Sequence, residues 1–97
     1  MITKIEQQQK IFAIPINTEE FKYYNNAEPN VKELVTLVVL TVNKQKLNTP
    51  LRGLYAKLYK YGDKWCFPIM KEFMEAYGLS KGDTLNVQIH KIEKVKR

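Results

Sequence analysis

Between residues 55 and 61 the side chains that carry chemistry recur at every second position: Tyr55, Lys57, Tyr59 and Tyr61, with Leu54, Ala56 and Leu58 around them. On an extended strand this period places three phenols and an ammonium group on one face and the aliphatic residues on the other. Aromatic rings interleaved with lysines suit nucleic acid, because rings stack on bases while ammonium groups meet phosphates. Arg52, Lys60, Lys64 and the C-terminal Lys91, Lys94, Lys96 and Arg97 extend the candidate surface. A plainer account of the same tyrosines is that of amphipathic sheet residues whose hydroxyl tips are solvated.

No other set of residues offers a reaction centre. His90 is the single histidine and Cys66 the single cysteine, so neither a metal-ligand spacing nor an intrachain disulfide can be built. Cys66 lies between aromatic neighbours and reads as a small buried apolar residue. Ser80 has no base beside it in sequence, and Glu72 and Glu75 fall on the solvated side of a helix. With no glycine-rich phosphate loop and no nucleophile with a partner, the chain reads as a non-enzyme that uses no cofactor or metal.

Charge points the same way as the tyrosines. Sixteen Lys and Arg against ten Asp and Glu leave +6 in 97 residues. The excess is uneven: residues 1 to 48 hold six basic and five acidic side chains, and residues 49 to 97 hold ten and five. A basic rear half implies an anionic partner, DNA or another nucleic acid. The competing class is a protein-interaction module in which Tyr59, Tyr61 and Trp65 anchor a larger protein. The absence of a membrane-length apolar run or a signal-peptide pattern leads to the expectation of a soluble cytoplasmic protein, monomer or homodimer.

The elements that must position these residues are legible around Lys64 to Ile89. Lys64 to Phe67 reads as a strand that pairs through Gly62-Asp63 with Leu54 to Tyr61. Pro68 suits the first residue of a helix running to Tyr77, and Met70, Phe73, Met74 and Tyr77 then share one side that should be buried. Gly78 suits a left-handed helix stop with Leu79 packed back on Met74 or Phe73. Thr84 to Ile89 alternates as a strand. Earlier in the chain, Met1 to Glu6 and Lys10 to Ile14 read as short strands, a brief helix follows Asn17, and Leu34 to Val42 reads as the strongest strand.

Sliding the sequence by fifty-three positions puts Ile5 on Leu58, Phe12 on Trp65, Ile14 on Phe67, Pro15 on Pro68, Tyr24 on Tyr77 and Asn25 on Gly78. The expectation is one domain over residues 1–97 with pseudo-repeats at about 1–44 and 51–94, joined by a polar connector at 43–50. Its fold class is mixed and mainly β with two short helices: a small six-stranded barrel from two strand-strand-helix-strand repeats, closed so that no sheet edge is exposed, with an open two-layer α+β sandwich as the competing answer.

The run Lys60-Tyr61-Gly62-Asp63-Lys64-Trp65, followed by Phe67-Pro68-Ile69, Tyr77-Gly78-Leu79 and Lys81-Gly82-Asp83, resembles the swapped-hairpin DNA-binding domain of AbrB and MazE-type regulators. More broadly it is similar to the cradle-loop barrels, double-psi barrels among them. The resemblance implies transcription regulation by DNA binding, and it makes Gly82-Asp83 a GD box of architectural role, where Gly82 permits a tight turn and Asp83 accepts backbone amides. The front half has Glu28-Pro29-Asn30-Val31 where a second such box would fall. Those regulators build their barrel from two chains, and here both halves lie in one.

Overall fold

In the computed structural model, which describes residues 1–31 and 33–94, eight strands and two short helices follow one another. They are β1 (Ile2–Lys4), β2 (Glu6–Gln8), β3 (Ile11–Pro15), α1 (Thr18–Asn25), β4 (Glu33–Val42), β5 (Gln45–Lys57), β6 (Tyr59–Tyr61), β7 (Lys64–Ile69), α2 (Lys71–Ala76) and β8 (Thr84–Lys94). The fold is mainly β, as the pattern implies. The strands form two four-stranded sheets, β1-β8-β4-β5 and β2-β3-β7-β6, with every described pair antiparallel.

The expected six-stranded closed barrel is therefore corrected to eight strands whose ladders do not join into one ring. The two additional strands have a single cause. Ile5 and Leu58 are nearly fully buried corners, and each divides an expected strand into two pieces that belong to different sheets. At the first corner the Ile5 amide donates to the Asp83 carbonyl at 2.9 Å and the Ile5 carbonyl accepts from the Gly82 amide at 2.8 Å. A turn, not a strand, satisfies the backbone where the chain changes sheet.

Both sheets read the same from either edge when front and rear halves are exchanged. β2 at 6–8 and β6 at 59–61 lie fifty-three residues apart, as do the starts of β3 and β7. The β3–β7 ladder centres on Ile14 opposite Phe67, which the same shift superposes. The β4–β8 ladder centres on Val38 opposite Gln88, fifty residues apart, with register shifts on either side of Val38. The strand starts, Glu33 and Thr84, lie fifty-one residues apart, so two residues of the difference are taken up before the strands and the third at the register shifts within the ladder. The core lies between the sheets and draws on both halves: Ile5, Ile14, Phe21, Val35, Leu37 and Val39 meet Leu54, Leu58, Phe67, Met74, Leu85 and Val87.

Several boundaries differ from the sequence expectation. Pro68 lies inside β7 and α2 begins three residues later, with Met70 at its N-cap and no side-chain cap bond. Pro15 and Pro68 fit within strands because each lies past the end of the outer neighbour, so the missing amide faces no ladder partner. With the helix start displaced, Met70 is 69% exposed and Tyr77 48%, Phe73 is half-buried, and Met74 is the buried member of the expected face. The helix stop at Gly78 (φ +63) does form, with the Leu79 amide donating to the Met74 carbonyl at 2.9 Å and both side chains buried. In α1 the left-handed residue is Asn26 (φ +57), one beyond the Asn25 expected.

The connector expected at 43–50 is instead a turn followed by strand. Asn43 and Lys44 both have positive φ, the requirement of a type I′ turn, and Val42 pairs with Gln45 across it. β5 reads as polar because it is a sheet edge with much of its surface in water. The front hairpin turns at Gln9 (φ +59), where the rear one has Gly62 (φ +62). A side chain in that conformation is strained, so Gln9→Gly should raise stability by about 0.5–1 kcal/mol, read from the urea midpoint.

Candidate nucleic-acid interface

The structure divides the nine candidate contact residues among three places. Along β5 the alternation holds, with Leu54 buried and Tyr55 66% exposed, but it ends at the Leu58 corner. The expected single stripe from Tyr55 to Tyr61 is therefore broken, because Tyr59 and Tyr61 continue on the other sheet.

Four candidates share the outer face of the first sheet. Directly opposed residues of a sheet point the same way, and Tyr55 of β5 opposes Thr36 of β4, which opposes Lys91 of β8. In the next row outward, Lys57 opposes Leu34, which opposes Glu93. Arg52 joins them through a bulge: Leu51 and Leu54, three apart, both pack toward the core, and Gly53 (φ +92) accommodates the extra residue. Arg52 then lines a shallow depression of about 360 Å³ with Val38, Gln88 and His90. Glu93 tempers this face by pairing with Lys91 at 3.6 Å.

Charge also segregates by element. β4, β5 and β8 carry Lys46, Arg52, Lys57, Lys91 and Lys94 against Glu33 and Glu93, and Glu33 is buried, its Oε2 accepting from Asn25 Nδ2 at 3.2 Å. The helices carry Glu19, Glu20, Glu72 and Glu75 against Lys22 and Lys71. Lys94 opposes Glu33 at the end of β8, in the alternate set from Lys91, and so stands apart from the other four. Lys96 and Arg97 lie outside the described residues.

The remaining four candidates lie in the second sheet, and three of them are engaged there. The Tyr59 hydroxyl donates to Gln8 Oε1 at 2.5 Å, bridging the sheet's two edge strands, and Gln8 Nε2 donates to the buried Cys66 Sγ at 3.4 Å. Lys60 Nζ sits 5.8 Å from the centre of the Trp65 ring, a cation–π distance. Lys64 pairs with Glu6 at 3.3 Å. Tyr61, 47% exposed, is the freest of the group. These contacts also occupy Tyr59 and Trp65, two of the three aromatics a protein-docking anchor would need.

Burial raises the Tyr59 phenol above its ordinary value of 10.0, and Cys66, Tyr61 and Glu6 act in the same direction. The folded state thus holds this proton more tightly than the unfolded chain. The Tyr59 contribution to stability is fully present below about pH 10 and is lost as pH rises through the folded value. Denaturation midpoints should therefore fall above pH 10 by more in the native protein than in Tyr59→Phe.

Gly78, Gly82 and Asp83 have architectural surroundings. Gly82 has φ +92, and Asp83 Oδ2 accepts the Ser80 amide at 2.9 Å, the backbone-pinning arrangement expected of a Gly-Asp turn. Asn43 adds a fastening that the sequence pattern does not announce. Its Nδ2 donates to Asp83 Oδ1 at 3.2 Å, and its Oδ1 accepts the Thr84 amide at 2.9 Å, fastening the β4–β5 turn to the α2–β8 turn. Nothing local at Asn43 signals a partner forty residues away.

Among the described residues no group of three His, Cys, Asp or Glu side chains comes together, and no helix is long and apolar enough to cross a membrane. Comparison with protein-family models, with curated proteins and with solved structures finds no match for the chain.

Proposed function

We propose that this chain binds nucleic acid through the outer face of β5, β4 and β8, as a small DNA-binding regulator of AbrB-like plan carried in one polypeptide. The observation that carries the reading is the convergence of Arg52, Tyr55, Lys57 and Lys91 on one sheet face, where Glu93 is their acidic neighbour, while four of the ten acidic side chains stand on the helices. Three cations would meet phosphates and position the strand, and the exposed Tyr55 ring would stack on a base. The palindromic order of both sheets and the Gly82-Asp83 turn support the likeness to swapped-hairpin domains. A cytoplasmic setting, where nucleic acid is at hand, belongs to the same reading.

The test is affinity against salt. Three phosphate contacts give a slope of roughly −2.1 (single strand) to −2.7 (duplex) in log K against log salt, so raising salt from about 50 to about 200 mM should weaken binding roughly twenty- to fortyfold. Anisotropy with labelled single-stranded and duplex oligonucleotides reads this directly. Binding that is undetectable at low salt, or indifferent to salt, overturns the proposal.

A further inference from the structure

A second concavity, lined in part by residues no motif singled out, opens where β5, the start of β3, the end of β7 and the N-terminal end of α2 meet. It encloses about 500 Å³, within the range of small-ligand sites. Its apolar interior is formed by Phe12, Leu54, Ile69 and Phe73. Around it stand three of the molecule's large exposed apolar side chains: Ile11 at 51%, Tyr55 at 66% and Met70 at 69%. Apolar groups left in water around one concavity mark a binding surface more often than scattered ones do.

Comparison of the two halves strengthens the point. The fifty-three-residue shift carries Ile2, Pro15, Ile16 and Asn17 onto Tyr55, Pro68, Ile69 and Met70, and those front-half residues line a depression of their own. There Asn17 does a structural job, its Oδ1 accepting the Glu20 amide at 3.0 Å as the α1 cap. In the rear half Met70 stands at the cap position with no cap bond and its thioether largely in water. Folding gains nothing from that exchange, since a polar cap stabilises a helix where methionine does not. The apolar side chain is explained by something that packs on it.

The charge of that occupant follows from the lining. Lys10 and Lys71 are the charged residues of the cleft, and both are cationic. Lys71 has only a long 4.0 Å approach to Glu75 in water. We infer that the cleft between β5 and α2 binds a medium-chain carboxylate, its acyl chain against Leu54, Ile69, Phe73 and Met70 and its carboxylate at Lys10 or Lys71. This site is separate from the phosphate-contacting cations, although Tyr55 borders both.

The experiment is a titration of the ¹⁵N-labelled protein, free of nucleic acid, with sodium decanoate below its micellar range, so its outcome is independent of the nucleic-acid reading. Saturable amide shifts are expected at Leu54, Ile69 and Phe73. Decanol, which shares the chain and lacks the charge, should bind roughly fivefold more weakly, and Lys10→Glu/Lys71→Glu should weaken decanoate binding roughly tenfold. Met70→Asn restores the cap found at Asn17, so it should raise the melting temperature by about 4 °C while weakening decanoate binding, which separates lost affinity from lost fold. The inference is overturned by shifts that fail to saturate, by shifts spread equally over the front-half depression, by equal binding of decanol, or by variants that bind as the native chain does.

Discussion

Replacing Phe67 with alanine should cost about 3–5 kcal/mol, the range for removing a buried ring when its surroundings relax only in part. Phe67 is fully buried and faces Ile14 at the centre of the β3–β7 ladder, where the two halves of the chain meet. Its ring packs in a cluster to which both sheets and both helices contribute, so the cavity left behind cannot close by shifting one loop. A chain of this size has about 5–15 kcal/mol to lose. The variant should therefore melt far below the native protein or fail to fold at ordinary temperature. Tyr61→Ala, in the same sheet but about half exposed, should change stability by less than about 1 kcal/mol. Urea denaturation of the two variants side by side is the measurement. A Phe67→Ala loss as small as that of Tyr61→Ala would mean that the halves do not share one core.

Phe67 also shows how much of the fold could be read from the chain. Its neighbours Cys66 and Ile69, the alternation of Leu85, Val87 and Ile89, and the Gly78-Leu79 helix stop are local signals, and each appears in the structure. The corners at Ile5 and Leu58 leave no such mark, because inward and outward alternation continues through a buried bend as it does along a straight strand. The tyrosine stripe therefore reads as continuous, since period two assigns faces only within one sheet. Pro68 is ambiguous for a related reason. A proline is equally content at the first position of a helix and in a strand beyond the end of its neighbour, and only the register of β6 distinguishes the two. Residues 45–50 of β5 read as connector because an exposed edge lacks the apolar content that identifies a buried strand, whereas the part of β5 from Leu54 reads as strand. For the candidate interface, residue types pointed to Arg52, Tyr55, Lys57 and Lys91, but grouping them required the bulge at Gly53 and the pairing of β4 with both of its neighbours.

That grouping determines which charges matter most. Reversing Arg52, Lys57 and Lys91 together to glutamate should reduce nucleic-acid affinity roughly a hundredfold or more at low salt and flatten its salt dependence, since the same residues supply the attraction and the counterion release. All three side chains are exposed, so the fold should survive, as circular dichroism would show. Lys60→Glu/Lys64→Glu should cost far less affinity, because Lys64 is already paired with Glu6 and Lys60 lies over Trp65. Glu93→Gln works in the opposite sense: it frees Lys91 from a 3.6 Å partner and removes the acid from this face, so affinity should rise a few-fold. Tyr55→Ala separates stacking from charge. A base stacked on the ring is worth about 1–3 kcal/mol, so the loss should be roughly tenfold on single strands, with the salt slope unchanged. If the Lys60/Lys64 pair proves the more damaging reversal, the contact surface lies on the second sheet and the outer face of β5, β4 and β8 is not the interface.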